Sequence, residues 1–319
     1  MKCIVFITNM SSKEQQIWLN TFSQLLPNEQ FVLPEELTDE AALAVDIAIV
    51  ANPDVNVLKR FPHLQWVQSL WAGVESLIPY FQKRNEKKET SIPLVRLIDP
   101  QLAETMAEAV LAWTLYLHRT MPEYAAQQRN KIWRPIDCPV AKHIRVSILG
   151  AGELGQASMK RLLQNHYQVN AWSRQPKVLP GVNHYSGEEG LVSLLQNTDI
   201  LICLLPLTAQ THHLLDQQTL MHLPKGSKLI NFARGGIINH EDLYALLEQR
   251  HLHHAVLDVF EQEPLDANSP LWTHPHITVL PHISATTNLA SASQVVANNI
   301  SLFREKAVIP KSVDLIQAY

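Results

Sequence analysis

The chain has 319 residues, of which 46% are hydrophobic and 18% are charged, and its formal net charge is −4. This length accommodates two domains with separate cores, and the ordinary composition is typical of a globular protein. The slightly negative charge, without a basic tract, argues against nucleic acid or an anionic membrane as a partner.

The first hundred residues alternate between strand and helix patterns, which predicts a small parallel α/β domain of flavodoxin-like type. We predict its strands at 3–7, 46–51, 64–69 and 92–97, and its helices at 13–25 and from Pro53 to about Arg60. The charged run 82–91 is predicted to be a solvated loop. The segment 309–319 is expected to return to this domain.

A long helical pattern at 102–119 follows a predicted boundary at Asp99-Pro100. Its residues are apolar on more than one side, so we expect the helix to be buried. Two locations are possible for this helix: a subunit interface, which we favour, and the core between the domains. Its apolar stretch 109–117 is too short to cross a bilayer.

From Arg145 onward, strands and helices alternate regularly and predict a doubly wound Rossmann sheet that binds a nucleotide. Six strands are predicted at 145–149, 168–172, 199–205, 227–232, 254–259 and 277–280, with helices at 154–165, 187–197, 216–222, 240–250 and 288–304. This order predicts a nucleotide-binding domain at 99–285 and a smaller, discontinuous substrate domain at 1–98 and 286–319.

The three cysteines, Cys3, Cys138 and Cys203, are widely spaced along the chain. Their spacing suits neither a disulfide framework nor a thiolate metal site, and it fits a reducing compartment. The apolar run at 3–7 is too short for a signal peptide. We therefore expect a cytoplasmic protein.

A glycine-rich turn joins the strand at 145–149 to the next helix and contains Gly150, Gly152, Glu153, Leu154 and Gly155. The three glycines follow the Gly-x-Gly-x-x-Gly pattern, and each has a physical role in dinucleotide binding. The first allows a tight turn, the second removes a side chain that would face the pyrophosphate, and the third lets helix and strand approach closely. We predict that a dinucleotide binds here, at the N-terminus of the helix.

The residues after the strand at 168–172 predict which dinucleotide binds. An acid at this position would bind the ribose 2′-hydroxyl of NAD, but the chain has Ser173 and Arg174 there. A hydroxyl and a guanidinium can both donate to a 2′-phosphate, so we predict that NADPH is preferred and that NADH remains possible. Lys177 is a weaker candidate for the same role. In the alternative, Arg174 is an ordinary solvated arginine.

The loop after the strand at 199–205 contains Leu205, Pro206 and Thr211. It leaves the carboxyl end of a parallel strand, where ligands bind in open α/β sheets. We predict that it lines the adenosine or the pyrophosphate, and a plain strand-to-helix connection is the alternative.

Three polar groups lie at the ends of the last three predicted strands: Arg234, Glu263 and His282. Parallel strands bring these ends to one edge of the sheet, where the nicotinamide half of the cofactor is expected. Reduction of a ketone by hydride transfer requires a proton donor, and histidine is the usual choice. A neighbouring carboxylate orients the imidazole and stabilises its charged form, while a guanidinium can bind a substrate carboxylate at two points.

Two further residues at this edge are predicted to bind the cofactor: Ala233 beside the arginine and Asp258 at the end of the strand at 254–259. The carboxylate of Asp258 could accept a hydrogen bond from the nicotinamide carboxamide. Taken singly, each residue at this edge could be an ordinary loop, turn or strand-end residue, and the hypothesis depends on their combination.

Other histidines could suggest a metal site. The run His251-Leu-His253-His254 precedes a buried strand and lacks cysteine or acidic ligands at suitable spacing. His212 and His213 are interpreted as loop residues. We therefore predict no metal site.

These motifs together resemble the D-2-hydroxyacid dehydrogenases, a family of D-isomer-specific NAD(P)-dependent reductases. The resemblance covers most of the chain and rests on the glycine turn, Asn231-Phe-Ala-Arg234-Gly235, Leu257-Asp-Val-Phe-Glu-Gln-Glu263-Pro264 and Pro281-His282-Ile-Ser284. It implies that Arg234 binds substrate, that Glu263 and His282 form the acid–base pair, and that the protein is a homodimer.

The resemblance also implies a carboxylate-binding segment in the substrate domain. The matching residues are Trp71, Ala72, Gly73 and Val74, whose backbone amides would bind the substrate, and Glu75 replaces the aspartate usual in the family. Trp71 either narrows the pocket toward small substrates or packs on its own domain.

The sequence therefore predicts an NADPH-dependent reductase of small 2-keto acids such as glyoxylate and hydroxypyruvate. Two alternatives remain: a reductase of larger keto acids such as phenylpyruvate, and a non-catalytic dinucleotide sensor that acts as a corepressor.

Overall fold

The computed structural model describes residues 2–86 and 92–317. The chain divides into two compact units. Unit 1 consists of Met1–Gln101 and Thr287–Tyr319, and unit 2 consists of Leu102–Thr286.

The described residues form twelve strands and ten α-helices. The strands are β1 (Lys2–Thr8), β2 (Glu29–Val32), β3 (Val45–Ala51), β4 (Trp66–Ser69), β5 (Leu94–Val95), β6 (Arg145–Leu149), β7 (Gln168–Trp172), β8 (Asn183–Tyr185), β9 (Ile200–Cys203), β10 (Ser227–Asn231), β11 (Leu252–Leu257) and β12 (Ile277–Val279). The helices are α1 (Ser12–Leu25), α2 (Asp39–Ala42), α3 (Ile78–Glu86), α4 (Pro100–His118), α5 (Met121–Arg129), α6 (Glu153–Gln164), α7 (Gly187–Gln196), α8 (Gln217–Leu220), α9 (His240–Glu248) and α10 (Leu289–Lys306).

Unit 1 is built on a parallel sheet with the order β2-β1-β3-β4-β5. This is the flavodoxin-like order. The strand β3 is almost wholly buried because apolar residues follow one another without alternation, as expected of a strand covered on both faces. The late helix α10 covers one face, and its Arg304 pairs with Glu29 and Asp46 at the ends of β2 and β3. The chain therefore returns to unit 1 after unit 2 is complete.

Unit 2 is built on a parallel sheet with the order β12-β11-β10-β9-β6-β7-β8. Six of its strands follow the doubly wound order, and β12 extends the far edge. The chain reverses direction across the sheet between β6 and β9, so the carboxyl ends of these two strands form the switch point. Ligands bind at such points in open α/β sheets.

The helix α4 packs against the core of unit 2 through Met106, Val110 and Leu117, which are buried with the sheet residues Ile148 and Ile230. Much of the apolar surface that predicted a buried helix is thus covered within its own chain, and the subunit interface stays a prediction. In the part of the chain that the structure describes, no helix combines enough length and apolarity to span a membrane.

The structure corrects five predictions about elements. The strands β2 and β8 and the helices α2 and α5 were missed, and residues 82–86 of the predicted charged loop belong to α3. The two missed strands lie at sheet edges, where a strand needs only one neighbour and carries polar residues that hide its pattern. The helix α5 has no continuous apolar face for the sequence to show. Residues 87–91 lie outside the described residues.

Candidate active site

The glycine turn after β6 is shaped by close backbone contacts. Gly150 has φ +110°, and a Cβ there would lie 2.6 Å from the carbonyl oxygen of Leu204. A Cβ on Gly155 would lie 1.9 Å from the carbonyl oxygen of Gly150. Only glycine fits at either position. The positive φ of Gly150 disfavours any side chain, and at both positions an added Cβ would collide with backbone atoms, which cannot move aside.

Gly152 differs from these two glycines because nothing lies within 4 Å of the Cβ that it lacks. It is the N-cap of α6, and no side chain caps the first turn, which contains Glu153 and Leu154. The amide groups of this turn have no helical partners and carry the positive end of the helix dipole. The open space at Gly152 and these amides fit a pyrophosphate.

The end of β7 gathers polar groups next to this turn. The Ser173 hydroxyl donates to the carbonyl oxygen of Gln175 at 2.8 Å and contacts Nε2 of His184 at 2.8 Å. The Lys177 ammonium donates to the carbonyl oxygen of Ala151, inside the glycine turn, at 2.7 Å. Lys177 therefore joins the two segments.

Arg174 follows Ser173 and is exposed, so its guanidinium is accessible to solvent and to a ligand. His184 on β8 was not predicted, because β8 itself was missed. Burial and the nearby charge of Lys177 lower the pKa of His184, so its imidazole is the neutral partner of Ser173 near neutral pH.

The loop after β9 is held by Thr211. Its hydroxyl donates to the carbonyl oxygen of Pro206 at 2.7 Å and accepts from the amide of Thr208 at 2.8 Å. Leu205 is buried in the unit 2 core. The Thr211 hydroxyl thus fixes the loop conformation.

The turn after β10 is organised by Asn231, which the sequence motif contained but which was not predicted as a site residue. Its amide group donates to the carbonyl oxygen of Arg234 at 3.0 Å, and its side-chain oxygen accepts from the amide of Ala233 at 3.1 Å. Arg234 is half-buried, and its guanidinium donates to the Ala233 carbonyl oxygen at 2.6 Å. The turn therefore fixes the backbone from which the arginine extends.

Gly235 brings this turn against the segment after β11. A Cβ on Gly235 would lie 2.0 Å from the carbonyl carbon of Phe260 and 2.2 Å from the amide nitrogen of Glu261. Since both neighbours are backbone, they cannot move aside as a flexible side chain would. This contact places the Arg234 turn directly beside the segment that leads to Glu263.

We expect Gly235→Ala to destabilise unit 2 by ~1–3 kcal/mol, because a methyl group must be forced into a filled space. The midpoint of urea unfolding and kcat should both fall. Gly236→Ala is the matched control, since its Cβ would meet only side chains, 3.5 Å away. Equal unfolding midpoints for the two variants would contradict the proposed contact.

Glu263 and His282 form a hydrogen-bonded pair. One carboxylate oxygen of Glu263 lies 2.7 Å from Nδ1 of His282, and the other accepts from the amide of Phe260 at 2.9 Å. Both side chains are partly open to solvent, with 51% of His282 and 36% of Glu263 exposed. The pairing leaves Nε2 of the imidazole available for another group.

Asp258 fixes the backbone of the segment that contains His282. Its two carboxylate oxygens accept from the amides of Ile283 and Ser284 at 2.7 and 2.8 Å, and its carbonyl oxygen accepts from the amide of His282 at 3.0 Å. The side chain is fully buried, and His282 has φ +56°. These three bonds stabilise a left-handed backbone conformation that a histidine seldom adopts.

In unit 1, the segment Trp71, Ala72, Gly73 and Val74 follows β4. The indole of Trp71 donates to Asn52 at 3.1 Å, and the ring packs on the unit 1 core. Of the two roles considered for Trp71, packing on its own domain is the one that these contacts support. Val74 is buried, while Ala72 and Gly73 are partly exposed.

Comparisons with known proteins identify the family. Residues 111–284 match the family model described as D-isomer specific 2-hydroxyacid dehydrogenase, NAD binding domain. The chain is 35% identical over 302 residues to glyoxylate/hydroxypyruvate reductase A of Serratia proteamaculans, covering 95% of this chain and 96% of that protein.

Two solved structures are similar over the whole chain. A D-isomer specific 2-hydroxyacid dehydrogenase from Xanthobacter autotrophicus, in complex with NADPH and MES, has a TM-score of 0.90 at 31% identity and covers 100% of this chain and 99% of that one. An NADPH-dependent glyoxylate/hydroxypyruvate reductase from Sinorhizobium meliloti, in complex with NADP and sulfate, has a TM-score of 0.89 at 28% identity and covers 100% of both. The chain therefore belongs to the D-isomer specific 2-hydroxyacid dehydrogenases, a family of NAD(P)-using enzymes, and it has their two-domain α/β fold.

Proposed function

We propose that this enzyme uses NADPH to reduce small 2-keto acids, with glyoxylate and hydroxypyruvate as the best substrates. The observation that carries this proposal is the hydrogen-bonded Glu263–His282 pair at the strand ends of a dinucleotide-binding unit. The names of two similar reductases, and the NADPH and NADP bound in two similar structures, agree with it.

In the proposed mechanism, a dinucleotide held by the glycine turn after β6 would supply the hydride that reduces the keto carbon. His282 donates a proton from Nε2 to the oxygen that becomes negative, since Nδ1 is committed to Glu263. Glu263 orients the imidazole through Nδ1, and the carboxylate is itself held in place because its other oxygen accepts from the Phe260 amide. Arg234 binds the substrate carboxylate through its guanidinium.

The preference for NADPH is assigned to Ser173 and Arg174, with Lys177 supporting them. The phosphate of NADPH requires donors at the end of β7, and these residues supply a hydroxyl, a guanidinium and an ammonium. His184 holds the Ser173 hydroxyl in place at 2.8 Å. Because the segment contains no carboxylate to repel the phosphate, we infer that NADPH binds more tightly than NADH.

The remaining proposed cofactor contacts come from backbone and from loop residues. Gly150, Gly152 and Gly155 with the first turn of α6, including Glu153 and Leu154, bind the pyrophosphate. Leu205, Pro206 and Thr211 line the adenosine side. Ala233 and Asp258 face the nicotinamide, where Asp258 keeps spare acceptor capacity beyond its two amide bonds. In unit 1, the amides of Ala72, Gly73 and Val74 are proposed to bind the substrate carboxylate.

Gly152→Ala tests the pyrophosphate site separately from the fold. Because nothing lies within 4 Å of the added Cβ, the melting temperature should not change. The methyl group would occupy the space of the pyrophosphate, so we expect the KM for NADPH to rise about tenfold or more, equivalent to the loss of one hydrogen bond to a charged group. Gly190→Ala, with ordinary contacts in α7, is the control. An unchanged KM would exclude this position for the phosphates.

Initial rates with glyoxylate, hydroxypyruvate, pyruvate and phenylpyruvate, each with NADPH and NADH, test the proposed function. We expect the highest kcat/KM for glyoxylate and hydroxypyruvate with NADPH. Faster reduction of phenylpyruvate would favour the reductase of larger keto acids. Tight NADPH binding without turnover of any of the four would favour a dinucleotide sensor.

We further propose a cytoplasmic homodimer that associates through unit 2. Four exposed apolar side chains support this: Leu115 is 39% exposed, Met121 45%, Ile132 50% and Trp133 100%. They lie on α4, on α5 and on the segment that follows. All three cysteines are free thiols, as a reducing compartment allows. The sedimentation mass in solution measures the oligomeric state.

A further inference from the structure

A second group of chemically active side chains lies in unit 2, outside the proposed catalytic pair. It consists of His212, His213 and Glu261, which we call the His–His–Glu cluster. One ligand atom from each residue lies within 4.8 Å of the other two, and in the described residues this is the one such group of three or more histidine, cysteine or acidic side chains. His213 Nε2 lies 2.6 Å from a Glu261 oxygen, and the two imidazole rings stack with centroids 4.0 Å apart.

The backbone brings these side chains together. The amide of His213 donates to the carbonyl oxygen of Gly236 at 2.8 Å, and the backbone of Gly235 lies directly against Phe260 and Glu261. The two segments are therefore fixed to the same pair of glycines. This convergence is set by the fold and does not depend on two flexible side chains meeting by chance in solvent.

The chemistry of the cluster is that of a metal site. Two imidazoles and one carboxylate are a ligand set used for Zn²⁺, with a fourth position left to water. Tetrahedral bonds of ~2.0–2.1 Å separate two ligand atoms by about 3.4 Å, so the ligand atoms must shift by about 1 Å and the stacked imidazole rings must turn until their nitrogens point at one ion. His213 is 37% exposed and Glu261 is 50% exposed, which leaves both free to make such shifts.

We propose that the His–His–Glu cluster binds one divalent transition-metal ion of the zinc class, with His212, His213 and Glu261 as ligands. Such ions prefer imidazole nitrogen combined with carboxylate oxygen, whereas Mg²⁺ and Ca²⁺ prefer oxygen alone. The ion takes the place of the hydrogen bond between His213 and Glu261. It links the loop after β9 to the segment that contains Glu261, and Glu263 lies two residues farther along the chain.

No sequence pattern indicated this site, because 48 positions separate His213 from Glu261 along the chain.

Titration calorimetry of tag-free, chelator-stripped full-length protein with Zn²⁺ tests the proposal. We expect one ion per chain, and an affinity at least about tenfold weaker in each of His212→Ala, His213→Ala and Glu261→Gln. Co²⁺ should add visible absorption bands that these substitutions abolish. The melting temperature of each variant without metal shows whether it has folded.

Two control variants address the other histidines of this chain. His222→Ala removes a histidine outside the cluster, and His253→Ala disrupts the pair between His253 and Glu123, another place where imidazole meets carboxylate at close range. Both should bind Zn²⁺ like the wild type. Absence of binding at millimolar Zn²⁺, or weaker binding only in His253→Ala, would overturn the proposal.

Discussion

His282→Ala is expected to lower kcat for keto acid reduction by ~10²–10⁴-fold, the usual contribution of a positioned general acid. The substitution removes the imidazole whose Nδ1 is held by Glu263 at 2.7 Å and whose Nε2 is the proposed proton donor. The variant should fold, since 51% of the side chain is exposed and it fills no core. Steady-state kinetics with NADPH, together with the dissociation constant for NADPH, measure the effect.

The matched control for this variant is His63→Ala, which removes an exposed histidine from unit 1. It should turn over like the wild type. If His282→Ala kept near-normal kcat, His282 would not be the proton donor. If it lost NADPH binding to the same extent as kcat, its role would lie in binding and not in proton transfer.

Glu263→Gln examines the second member of the pair. The carboxylate now accepts two bonds, one from the Phe260 amide and one from His282. A glutamine offers one acceptor and one donor, so it can satisfy only one of these partners and leaves the imidazole in the wrong tautomer or orientation. We therefore expect kcat to fall about 10²-fold, within the range of general acid–base effects.

Arg174→Asp is expected to raise the KM for NADPH by about 10–100-fold. Hydrogen bonds to charged groups contribute ~1.5–3 kcal/mol, which corresponds to this range, and the new carboxylate also repels the 2′-phosphate. The KM for NADH should stay the same or fall, because an acid at this position can bind the 2′-hydroxyl. Initial rates at varied concentrations of each cofactor measure both values.

Arg129→Asp makes the same change at an exposed arginine in the last turn of α5 and serves as the control. Its KM for NADPH should match the wild type. If the ratio of the KM values for NADPH and NADH did not change in Arg174→Asp, Arg174 would not recognise the 2′-phosphate. Ser173 and Lys177 would then be the residues that bind it.

The sequence predicted best the features with strong local signals. The buried strand β9 is a continuous apolar run, and the glycine turn between β6 and α6 has a spacing with a known physical cause. Edge strands were missed because their local signal is weak: β8 comprises only Asn183–Tyr185 and is half-exposed. His184, which contacts Ser173, was therefore missed with it.

Sheet topology alone was enough to predict that Glu263 and His282 lie close together. Parallel strands bring Glu263 and His282 to one edge, and the structure shows them hydrogen-bonded. The sequence could not show how the edge is held together. Asp258 fixes the backbone of His282, and Gly235 lies against Phe260, through tertiary contacts that leave no local pattern.

The pH dependence of kcat/KM in the wild type and in His282→Ala is the sharpest test of proton donation by His282. If His282 donates the proton, its removal changes the shape of the pH profile and abolishes most of the rate. A profile of the same shape in both proteins would show that another group supplies the proton.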